Sequence, residues 1–222
     1  MALLPPALRR LTPDRLRDDP RLRALAVGSG LIPPRTMHSV VEADLLRDLA
    51  RDASRVVEIG VYEGSSAVGL AEAMGPAQEL HLIDPFGHHA MALPAGWGAT
   101  ERASRRVVAR AARPEGPRVV WHTAFSQDVA PGWAAPIDLL FIDGDHAQAG
   151  VQRDWDDWHR FIAPGGHVLF HDARLGQPEG RGLEGPTAVV DALVRGPGGP
   201  PDGWTVVAEV DRTVALRRVS AG

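Results

Sequence analysis

The segment from 54 to 66 constrains the fold more than any other part of the sequence. A short apolar run ends there in Glu58-x-Gly60-x-x-x-Gly64-x-Ser66, and an alanine-rich segment of helical character follows at once. Glycine at 60 and 64 lets the backbone turn sharply and approach a ligand closely. A helix that begins in this turn directs its free N–H groups and its positive dipole end at the ligand. The segment therefore predicts a strand–turn–helix unit with a ligand-binding loop.

This loop differs from the two common phosphate-binding loops. It lacks the Gly-x-Gly-x-x-Gly spacing of dinucleotide-binding loops, and the chain contains no lysine that could serve in a P-loop. The acid at Glu58 favours a cationic ligand over a pyrophosphate. S-adenosylmethionine carries a positive sulfonium and a positive α-amino group, and we infer that it is the cofactor.

Strand and helix signals alternate along the chain. Short apolar strands are predicted at about 55–59, 79–83, 118–122, 137–142 and 166–170, and helices at about 39–50, 64–74, 100–112, 148–162 and 186–194. Buried strands separated by helices of ten or more residues indicate a parallel, doubly wound sheet. The last two strands, 204–210 and 213–218, are joined by a tight Asp211-Arg212 turn and form an antiparallel hairpin. The predicted fold class is α/β, a Rossmann-like seven-stranded sheet of five parallel strands and a C-terminal antiparallel hairpin.

The chain divides into an extension and one domain. Residues 1–36 form an N-terminal helical extension that is rich in proline and arginine. Short helical pieces are expected around 13–25, and Pro33-Pro34 stops them. Residues 37–222 form the α/β domain, which is long enough to bury its own hydrophobic core.

Composition excludes several classes of function. The net charge of −4 and the pI of about 6.1 give no basic footprint for nucleic acid or an anionic membrane. Cysteine is absent, which excludes disulfides, thiolate nucleophiles and cysteine-ligated metals. No apolar run approaches the ~18 residues of a membrane span, and the first residues do not resemble a signal peptide. We expect a cytoplasmic homo-oligomer, a dimer or larger, that acts on a small molecule and binds neither nucleic acid nor membrane.

Polar residues follow the predicted parallel strands, at the edge where α/β sheets bind ligands. Asp84 follows the second strand, where an acid can accept hydrogen bonds from ribose hydroxyls, and Ser126 and Gln127 follow the third. Two alternatives stay open, since Asp84 could be a plain turn former and Ser126 could cap the next helix. Asp145, after the fourth strand, is expected to cap the helix that begins at 148.

Asp143 follows the fourth strand and His171-Asp172 follows the fifth, so that two carboxylates and one imidazole meet at neighbouring strand ends. Two carboxylates brought together need a cation or a shared proton. Oxygen ligands with one imidazole suit Mg²⁺, the first choice here, or Mn²⁺ or Fe²⁺, and Asp143, His171 and Asp172 are the predicted ligands. His146, with a pKa near neutral, is the predicted catalytic base. In the alternative, His171 and Asp172 only cap and orient the following loop.

Two further patterns have plainer explanations. The helix that begins at 148 has an apolar face that is expected in the core, formed by Val151, Trp155, Trp158 and Ile162. Its charged face is expected in solvent and is formed by Arg153, Asp154, Asp156 and Asp157. The pair His88-His89 could be a metal site, but its loop is rich in glycine and proline and is better explained as a mobile lid.

Several of these motifs together resemble a known family. From Met37 to Asp172, the chain resembles the catechol O-methyltransferase-like group of class I, metal-dependent methyltransferases, and within it the bacterial branch that acts on antibiotics and sugars. The motifs that carry the resemblance are Met37-His38-Ser39, the cofactor loop from Glu58 to Val68, Ala124-Phe125-Ser126-Gln127-Asp128, Phe141-Ile142-Asp143 and the stretch from Gly165 to Asp172.

The resemblance implies roles for these residues. The cofactor-binding residues it implies are Met37, Glu58, Gly60, Tyr62, Gly64, Ser66, Asp84, Ser126, Gln127 and Asp143. The methionine part would lie at the glycine loop, the ribose at Asp84, and the adenine at Ser126 and Gln127. Asp143 and Asp172 would ligate a divalent metal that binds the hydroxyls of the substrate. The catalytic lysine of the animal members falls at His146.

The chain also departs from the family. The third protein ligand of the animal members is an asparagine, and Ala173 occupies its place; the antibiotic branch has an acid where His171 lies. The expected activity is that of an S-adenosylmethionine- and metal-dependent O-methyltransferase, acting on a hydroxyl or vicinal diol of a small natural product. The rivals are a nicotinamide dehydrogenase, which predicts a glycine spacing that is absent, and a metal-independent methyltransferase or nonenzymatic S-adenosylmethionine-binding protein.

Overall fold

The computed structural model describes residues 19–87, 97–177, 181–196 and 198–219. Its helices are α1 Pro20–Ser29, α2 Val40–Arg51, α3 Ser65–Ala73, α4 Trp97–Ala112, α5 Ser126–Val129, α6 Gln148–Trp158 and α7 Glu184–Val194. Its strands are β1 Arg55–Ile59, β2 Glu79–Ile83, β3 Arg118–His122, β4 Ile137–Ile142, β5 Ile162–Phe170, β6 Trp204–Val210 and β7 Thr213–Arg218. Short 3-10 turns at Ala130–Gly132 and His159–Phe161 follow α5 and α6.

The strands form one seven-stranded sheet in the order β3-β2-β1-β4-β5-β7-β6. β1 to β5 are parallel, and β7 pairs antiparallel with both β5 and β6. The predicted fold class is confirmed, including the C-terminal hairpin. The chain moves outward in one direction from β1 to β3 and then in the other from β4, so the crevice between β1 and β4 is where such a sheet binds ligands.

The parallel strands end level with one another. Ile59 at the end of β1 lies opposite Ile83 of β2 and Ile142 of β4. Ile83 lies opposite His122 of β3, and Ile142 opposite Phe170 of β5. The residues that follow these five strands are therefore brought to a single edge of the sheet.

Alternate side chains of the sheet pack into two layers of helices, as the two-residue period of a strand requires. On β1, the fully buried Val56 belongs to a cluster that includes residues of α1, α2, α3 and α4, and the fully buried Val57 belongs to a cluster with α6 and α7. The predicted core face of α6 is confirmed, because Val151, Trp155 and Trp158 all lie in the second cluster.

β5 starts earlier than the sequence predicts. It begins at Ile162, which pairs with Ile137 of β4, and the register then shifts so that Leu139 pairs with His167. Between these two pairs, β4 has one residue and β5 has four, and the additional residues include Gly165, whose φ is 84°. The Pro-Gly-Gly sequence of this bulge interrupts the apolar run and hides the first part of the strand.

The N-terminal extension contributes α1 to the core of the domain. Asp19 caps this helix by accepting the backbone N–H groups of Arg21 and Leu22. Val27 is fully buried, and a Cβ added to Gly28 would lie 3.2 Å from the Cα atom of Ala103, so α1 and α4 approach closely. Helix was predicted around 13–25; residues 13–18 of that segment lie outside the described residues.

Two other predictions meet the limits of the described chain. His88 and His89 lie outside the described residues, so the lid hypothesis stays a prediction. Among the helices that are described, none has the length and apolar character needed to cross a bilayer.

Candidate active site

A cleft of about 740 Å³ lies at the carboxyl edge of the sheet. The predicted site residues that line it are Met37, Gly60, Tyr62, Ser66, Asp84, Ser126, Gln127, Asp143, His146, His171 and Asp172. Its size is within the range of small-molecule and cofactor sites. The structure therefore brings together in one cavity nearly all the residues that the sequence singled out, with Glu58 and Gly64 as the exceptions.

Gly60 lies where β1 meets the loop after β4. Its φ is 90°, a conformation that side chains with a Cβ rarely adopt. A Cβ at this position would collide with the backbone carbonyl of Asp143 and lie 2.6 Å from the Cα atom of Gly144. The glycine is thus required by contact between two backbone segments, and it keeps the cofactor loop against the loop that carries Asp143.

Asp84 holds the cofactor loop by its carboxylate. Oδ2 accepts the backbone N–H groups of Val61 at 2.9 Å and Tyr62 at 2.8 Å, and Oδ1 accepts that of Phe86 at 2.7 Å. A carboxylate has about four acceptor positions, so roughly one is left for a ribose hydroxyl. Asp84 thus forms the turn that one interpretation predicted, and it also lines the cleft; its contact with a ribose stays a prediction.

Glu58 and Gly64 have positions behind the cleft. Glu58 is fully buried and accepts a hydrogen bond from the Ser66 hydroxyl. Burial raises the pKa of Glu58 well above its usual range, which disfavours the ionised form on which the inference of a cationic ligand relied. Gly64, with a φ of 86°, packs against α4, where an added Cβ would lie 3.2 Å from the Ser104 hydroxyl.

The segment before α2 forms one wall of the cleft. Arg35, Met37 and His38 all line the cavity. The segment is held to the cofactor loop by Glu63, whose carboxylate accepts hydrogen bonds from the Arg23 side chain at 2.5 and 2.8 Å and from the backbone N–H of Arg35 at 2.6 Å. Residues of the predicted extension therefore contribute directly to the site.

Asp143 is surrounded by three histidines. His171 Nδ1 lies 2.9 Å from its Oδ1, His38 Nε2 lies 3.3 Å from its Oδ2, and His146 Nε2 lies 3.7 Å from Oδ1. Burial alone would raise the pKa of Asp143, but the charge of His171, its hydrogen bond and the proximity of the imidazoles of His146 and His38 hold the pKa well below its usual range. The contact with Asp143 raises the pKa of His146. The pKa of His171 is raised too, because the combined effect of the neighbouring carboxylates is larger than the opposing effect of burial.

Asp172 is held by an arginine from the C-terminal hairpin. Arg212 Nη1 donates to Oδ1 of Asp172 at 2.7 Å, and its Nη2 donates to the backbone carbonyl of Met37. The buried carboxylate of Glu42 accepts the backbone N–H of Arg212 and the hydroxyl of Thr213, each at 2.9 Å. Asp172 itself has a φ of 54°, so this network holds it in an unfavourable backbone conformation.

His38, Glu42 and Arg212 were not among the predicted site residues. Met37-His38-Ser39 was noted as a motif, but its histidine had no assigned partner, and Asp211-Arg212 gave only a turn signal. A basic residue in a hairpin turn is common at surfaces, and nothing local indicates that Arg212 is 9% exposed. Its partner Glu42 lies 170 residues away in the chain.

The donor atoms around Asp143 fit a divalent cation. One oxygen of Asp143, one of Asp172 and a nitrogen of His146 lie within 4.8 Å of one another. His146 Nε2 is 3.7 Å from Oδ1 of Asp143 and 3.7 Å from Oδ2 of Asp172. These separations lie between the ~3.0 Å of neighbouring ligands and the ~4.2 Å of opposite ligands around an octahedral ion with bonds of about 2.1 Å. His38, Asp143 and His171 form a second possible group that shares Asp143.

His171 makes contacts on both of its ring nitrogens. Its Nδ1 lies 3.6 Å from Oδ2 of Asp172, besides its 2.9 Å contact with Asp143, so the predicted trio of Asp143, His171 and Asp172 is brought together. Its buried Nε2 makes no hydrogen bond to the described residues and lies 3.9 Å from Glu42. The 2.9 Å contact has the length of a hydrogen bond and orients the Asp143 carboxylate.

Ser126 and Asp154 form a buried pair where α5 and α6 meet the cleft. The N-cap of α5 is Phe125, so Ser126 is not the helix cap; its hydroxyl donates to Oδ1 of Asp154. The prediction that Asp154 lies in solvent is wrong, because it is 4% exposed and lines the cleft. Burial raises its pKa to about 6, against the opposing effect of the Ser126 hydrogen bond.

Two neighbours complete this side of the cleft. The N-cap position of α6 belongs to Ala147, and the predicted cap Asp145 instead accepts the backbone N–H of Ala147 at 2.9 Å in a turn before the helix, so the cap prediction is wrong. The Gln127 side chain accepts a 3.4 Å hydrogen bond from Arg153, and both residues line the cleft.

The raised pKa of Asp154 gives a test of this burial without any ligand. The folded-state pKa of about 6 exceeds the ordinary 3.8, so the folded protein binds this proton more tightly than the unfolded chain. Its stabilising contribution is present below about pH 4 and is lost as the pH rises through 6. Between pH 4 and pH 7.5, we expect wild type to lose about 2 kcal/mol of unfolding free energy relative to Asp154→Asn, in urea titrations.

The control for this measurement is Asp156→Asn, which removes an exposed carboxylate from the same helix. Its stability should follow that of wild type at both pH values. Parallel curves for wild type and Asp154→Asn would show that Asp154 is not held in a desolvated position.

Known proteins resemble this chain both in sequence and in fold. A family model described as a methyltransferase domain matches residues 57–173, more than half of the chain. An uncharacterized protein of Acanthamoeba polyphaga mimivirus is 25% identical over 139 residues, which is 61% of this chain. The match spans 59% of that relative's length.

Solved structures match along almost the whole chain. The cofactor-bound protein Rv0187 from MTB has a TM-score of 0.60 at 23% identity, covering 99% of this chain and 98% of its own. The O-methyltransferase TomG from Streptomyces achromogenes, in complex with S-adenosylmethionine (SAM), has a TM-score of 0.58 at 21% identity, covering 92% and 91%. An O-methyltransferase from Bacillus cereus in complex with SAH has a TM-score of 0.60 at 17% identity, covering 95% and 93%. At these identities the likeness establishes the fold.

Proposed function

Because the chain belongs to the family of methyltransferase domains, we propose that it is an S-adenosylmethionine-dependent O-methyltransferase that uses a divalent metal and acts on a hydroxyl of a small natural product. The proposal rests on one observation: the glycine loop and the possible metal site lie next to each other in one cleft. The glycine loop at Gly60 contacts the backbone of Asp143, and Asp143 shares possible metal-ligand positions with His146 and Asp172.

The order of the strands gives the direction in which the cofactor would lie. Ser126 follows β3, Asp84 follows β2, Gly60 follows β1 and Asp143 follows β4. Three strand spacings of ~4.8 Å separate the first from the last, roughly 14 Å along the edge of the sheet. This distance suits a long ligand with its base at Ser126 and its reactive end at Asp143.

The cofactor would supply a methyl group on a sulfonium, and its in-line displacement requires alignment and an ionised acceptor oxygen. The chain contributes to both. Ile59, Ile83 and Phe125 give the cleft apolar walls that exclude water, and the Asp84 carboxylate fixes the backbone of the cofactor loop. The acceptor oxygen would lie near Asp143, where His146 Nε2 could take its proton.

Asp143 and Asp172 would hold the metal, with an imidazole of His171 or His146 as a further ligand. Such an ion lowers the pKa of a bound hydroxyl and fixes its position. Arg212 donates a hydrogen bond to Oδ1 of Asp172, and Oδ2 lies 3.7 Å from Nε2 of His146. Two carboxylates and an imidazole suit Mg²⁺, Mn²⁺ or Fe²⁺.

One solved structure supports a natural product as the substrate class. TomG is described as taking part in tomaymycin synthesis, and its fold matches nearly all of this chain. The segment that carries Arg35 and Met37 forms a wall of the cleft and would contact the acceptor. The acceptor hydroxyl, phenolic or part of a vicinal diol, would enter past this wall.

A metal-independent methyltransferase is the second candidate, and one observation favours it. Both carboxylates already face positive or hydrogen-bonding groups, Asp172 through Arg212 and Asp143 through His38 and His171. These partners could balance the charge of the site and hold the acceptor without a cation.

Removal of metal separates the two candidates. On a panel of catechols, vicinal-diol sugars and phenolic natural products, EDTA should lower transfer of labelled methyl groups at least about tenfold, and Mg²⁺ or Mn²⁺ should restore it. Asp172→Asn should mimic the chelator, while its affinity for S-adenosylhomocysteine in calorimetry stays within about threefold of wild type.

The control is Asp202→Asn, a change in the loop before β6 that should leave both readouts unaltered. Full turnover in excess EDTA would favour the metal-independent candidate. Wild type that binds no S-adenosylhomocysteine at all would exclude both.

A further inference from the structure

A buried carboxylate faces the cleft at a position that the proposed reaction does not use. Asp154 is 4% exposed and lines the cavity from α6, one helical turn after Gly150, which also lines it. Oδ1 of Asp154 accepts the Ser126 hydroxyl, and Oδ2 accepts no hydrogen bond from the described residues. A carboxylate oxygen that faces a cavity and makes no hydrogen bond to these residues can accept one from a ligand donor.

The cavity that Asp154 lines also offers apolar surface on which a flat, nitrogen-rich ring could lie. Ile83, Pro85 and Phe125 line the same cavity and offer apolar surface, and Phe125 is 39% exposed. Ser126 is the first residue of α5, and its hydroxyl donates a hydrogen bond that orients the Asp154 carboxylate. The site thus combines apolar walls with one fixed acceptor.

We propose that Asp154 selects the base of the cofactor, with its free oxygen accepting a hydrogen bond from the exocyclic amino group of adenine. This assignment rests on the proposed function and adds a specificity-determining residue to it. The carboxylate accepts from a 6-amino group and repels a 6-oxo group, because a carbonyl oxygen offers only lone pairs to it. The site therefore discriminates a 6-aminopurine from a 6-oxopurine.

The ionisation of Asp154 is consistent with this role. Its pKa of about 6 leaves the group largely ionised at pH 7.5, so it is an acceptor there. The desolvation that raises its pKa is an unfavourable interaction in the free protein, and an amino group would relieve it on binding. A carboxylate that faces a ligand discriminates against ligands that cannot donate a hydrogen bond to it.

The test compares two ligands that differ at this one position. S-adenosylhomocysteine and S-inosylhomocysteine are titrated by calorimetry at pH 7.5 into wild type, Asp154→Asn and Asp156→Asn. Wild type should bind the adenosyl compound roughly 10–100-fold more tightly. In Asp154→Asn the ratio should fall to within about threefold, because an amide can accept from an amino group or donate to a carbonyl. Asp156→Asn should keep the wild-type ratio.

Each other outcome has a distinct meaning. A wild-type ratio below about threefold, or an Asp154→Asn variant that keeps the wild-type ratio, would overturn the assignment of Asp154 while leaving the proposed function in place. Binding of neither compound by wild type would overturn the proposed function itself. The wild-type comparison needs no variant, so a ratio below about threefold overturns the assignment even if Asp154→Asn does not fold.

Discussion

Replacing Gly60 with alanine is expected to weaken the binding of S-adenosylhomocysteine at least 100-fold. The added Cβ would collide with the backbone carbonyl of Asp143, and the residue would keep a φ of 90° that alanine disfavours. Overpacking and backbone strain each cost about 1–3 kcal/mol, so the unfolding free energy should fall by about 2–6 kcal/mol. Calorimetry measures the binding, and far-UV circular dichroism should stay native.

Two glycines provide matched controls for this variant. Gly203 has a φ of 81° with no atom within 4 Å of an added Cβ, so Gly203→Ala isolates the cost of the backbone conformation. Gly132 lies in open space without a positive φ, so Gly132→Ala should change little. Native cofactor affinity in Gly60→Ala would mean that the loops after β1 and β4 can separate without consequence, contrary to the proposed site.

His146→Ala is expected to lower kcat by roughly 10²–10⁴-fold, the usual effect of removing a general base. The affinity for S-adenosylhomocysteine should stay within about threefold, because the contacts of His146 are with the carboxylates of Asp143 and Asp172. No lysine is present in the chain to replace it. Single-turnover methyl transfer measures the chemical step, and calorimetry measures the cofactor.

The affinity for Mn²⁺ separates a base from a metal ligand at this position. Unchanged Mn²⁺ binding together with a low kcat assigns His146 as the base and leaves His171 as the imidazole ligand. A parallel loss of Mn²⁺ binding, rescued by excess metal, assigns His146 as a ligand instead. His159→Ala, at a histidine that contacts the backbone carbonyl of Trp155, is the control for loss of an imidazole. A normal kcat in His146→Ala would make the residue a bystander.

The parts of the site that the sequence predicts are those fixed by local signals. Asp84, Ser126, Asp143 and Asp172 each follow a short apolar strand, and parallel strands bring such residues to one edge whatever the rest of the chain does. The glycine loop is equally local, since both its strand and its helix are adjacent in the chain. These residues could therefore be assigned before any contact was known.

The parts that the sequence misses depend on the environment of a side chain. Asp154 lies on the charged side of an amphipathic helix, yet it is buried beside Ser126 at the cleft. Hydrophobic periodicity distinguishes only core positions from solvent positions, so it could not predict this environment. Glu58 was treated as a charge, although complete burial favours its neutral form. Arg212 required knowledge that the hairpin turn faces Asp172, which is a contact between distant segments.

The network around Arg212 links the completion of the fold to the completion of the reaction centre. The glycine loop, Asp84, Asp143 and Asp172 all precede β6 in the chain, but the guanidinium that restrains Asp172 belongs to the turn between β6 and β7. The same turn supplies donors to Glu42 and to the carbonyl of Met37, at the wall of the cleft. During synthesis, then, the cofactor half of the cleft is encoded early and the acceptor half waits for the last hairpin. A chain that ends before β6 would carry the glycine loop but would lack the guanidinium that restrains Asp172.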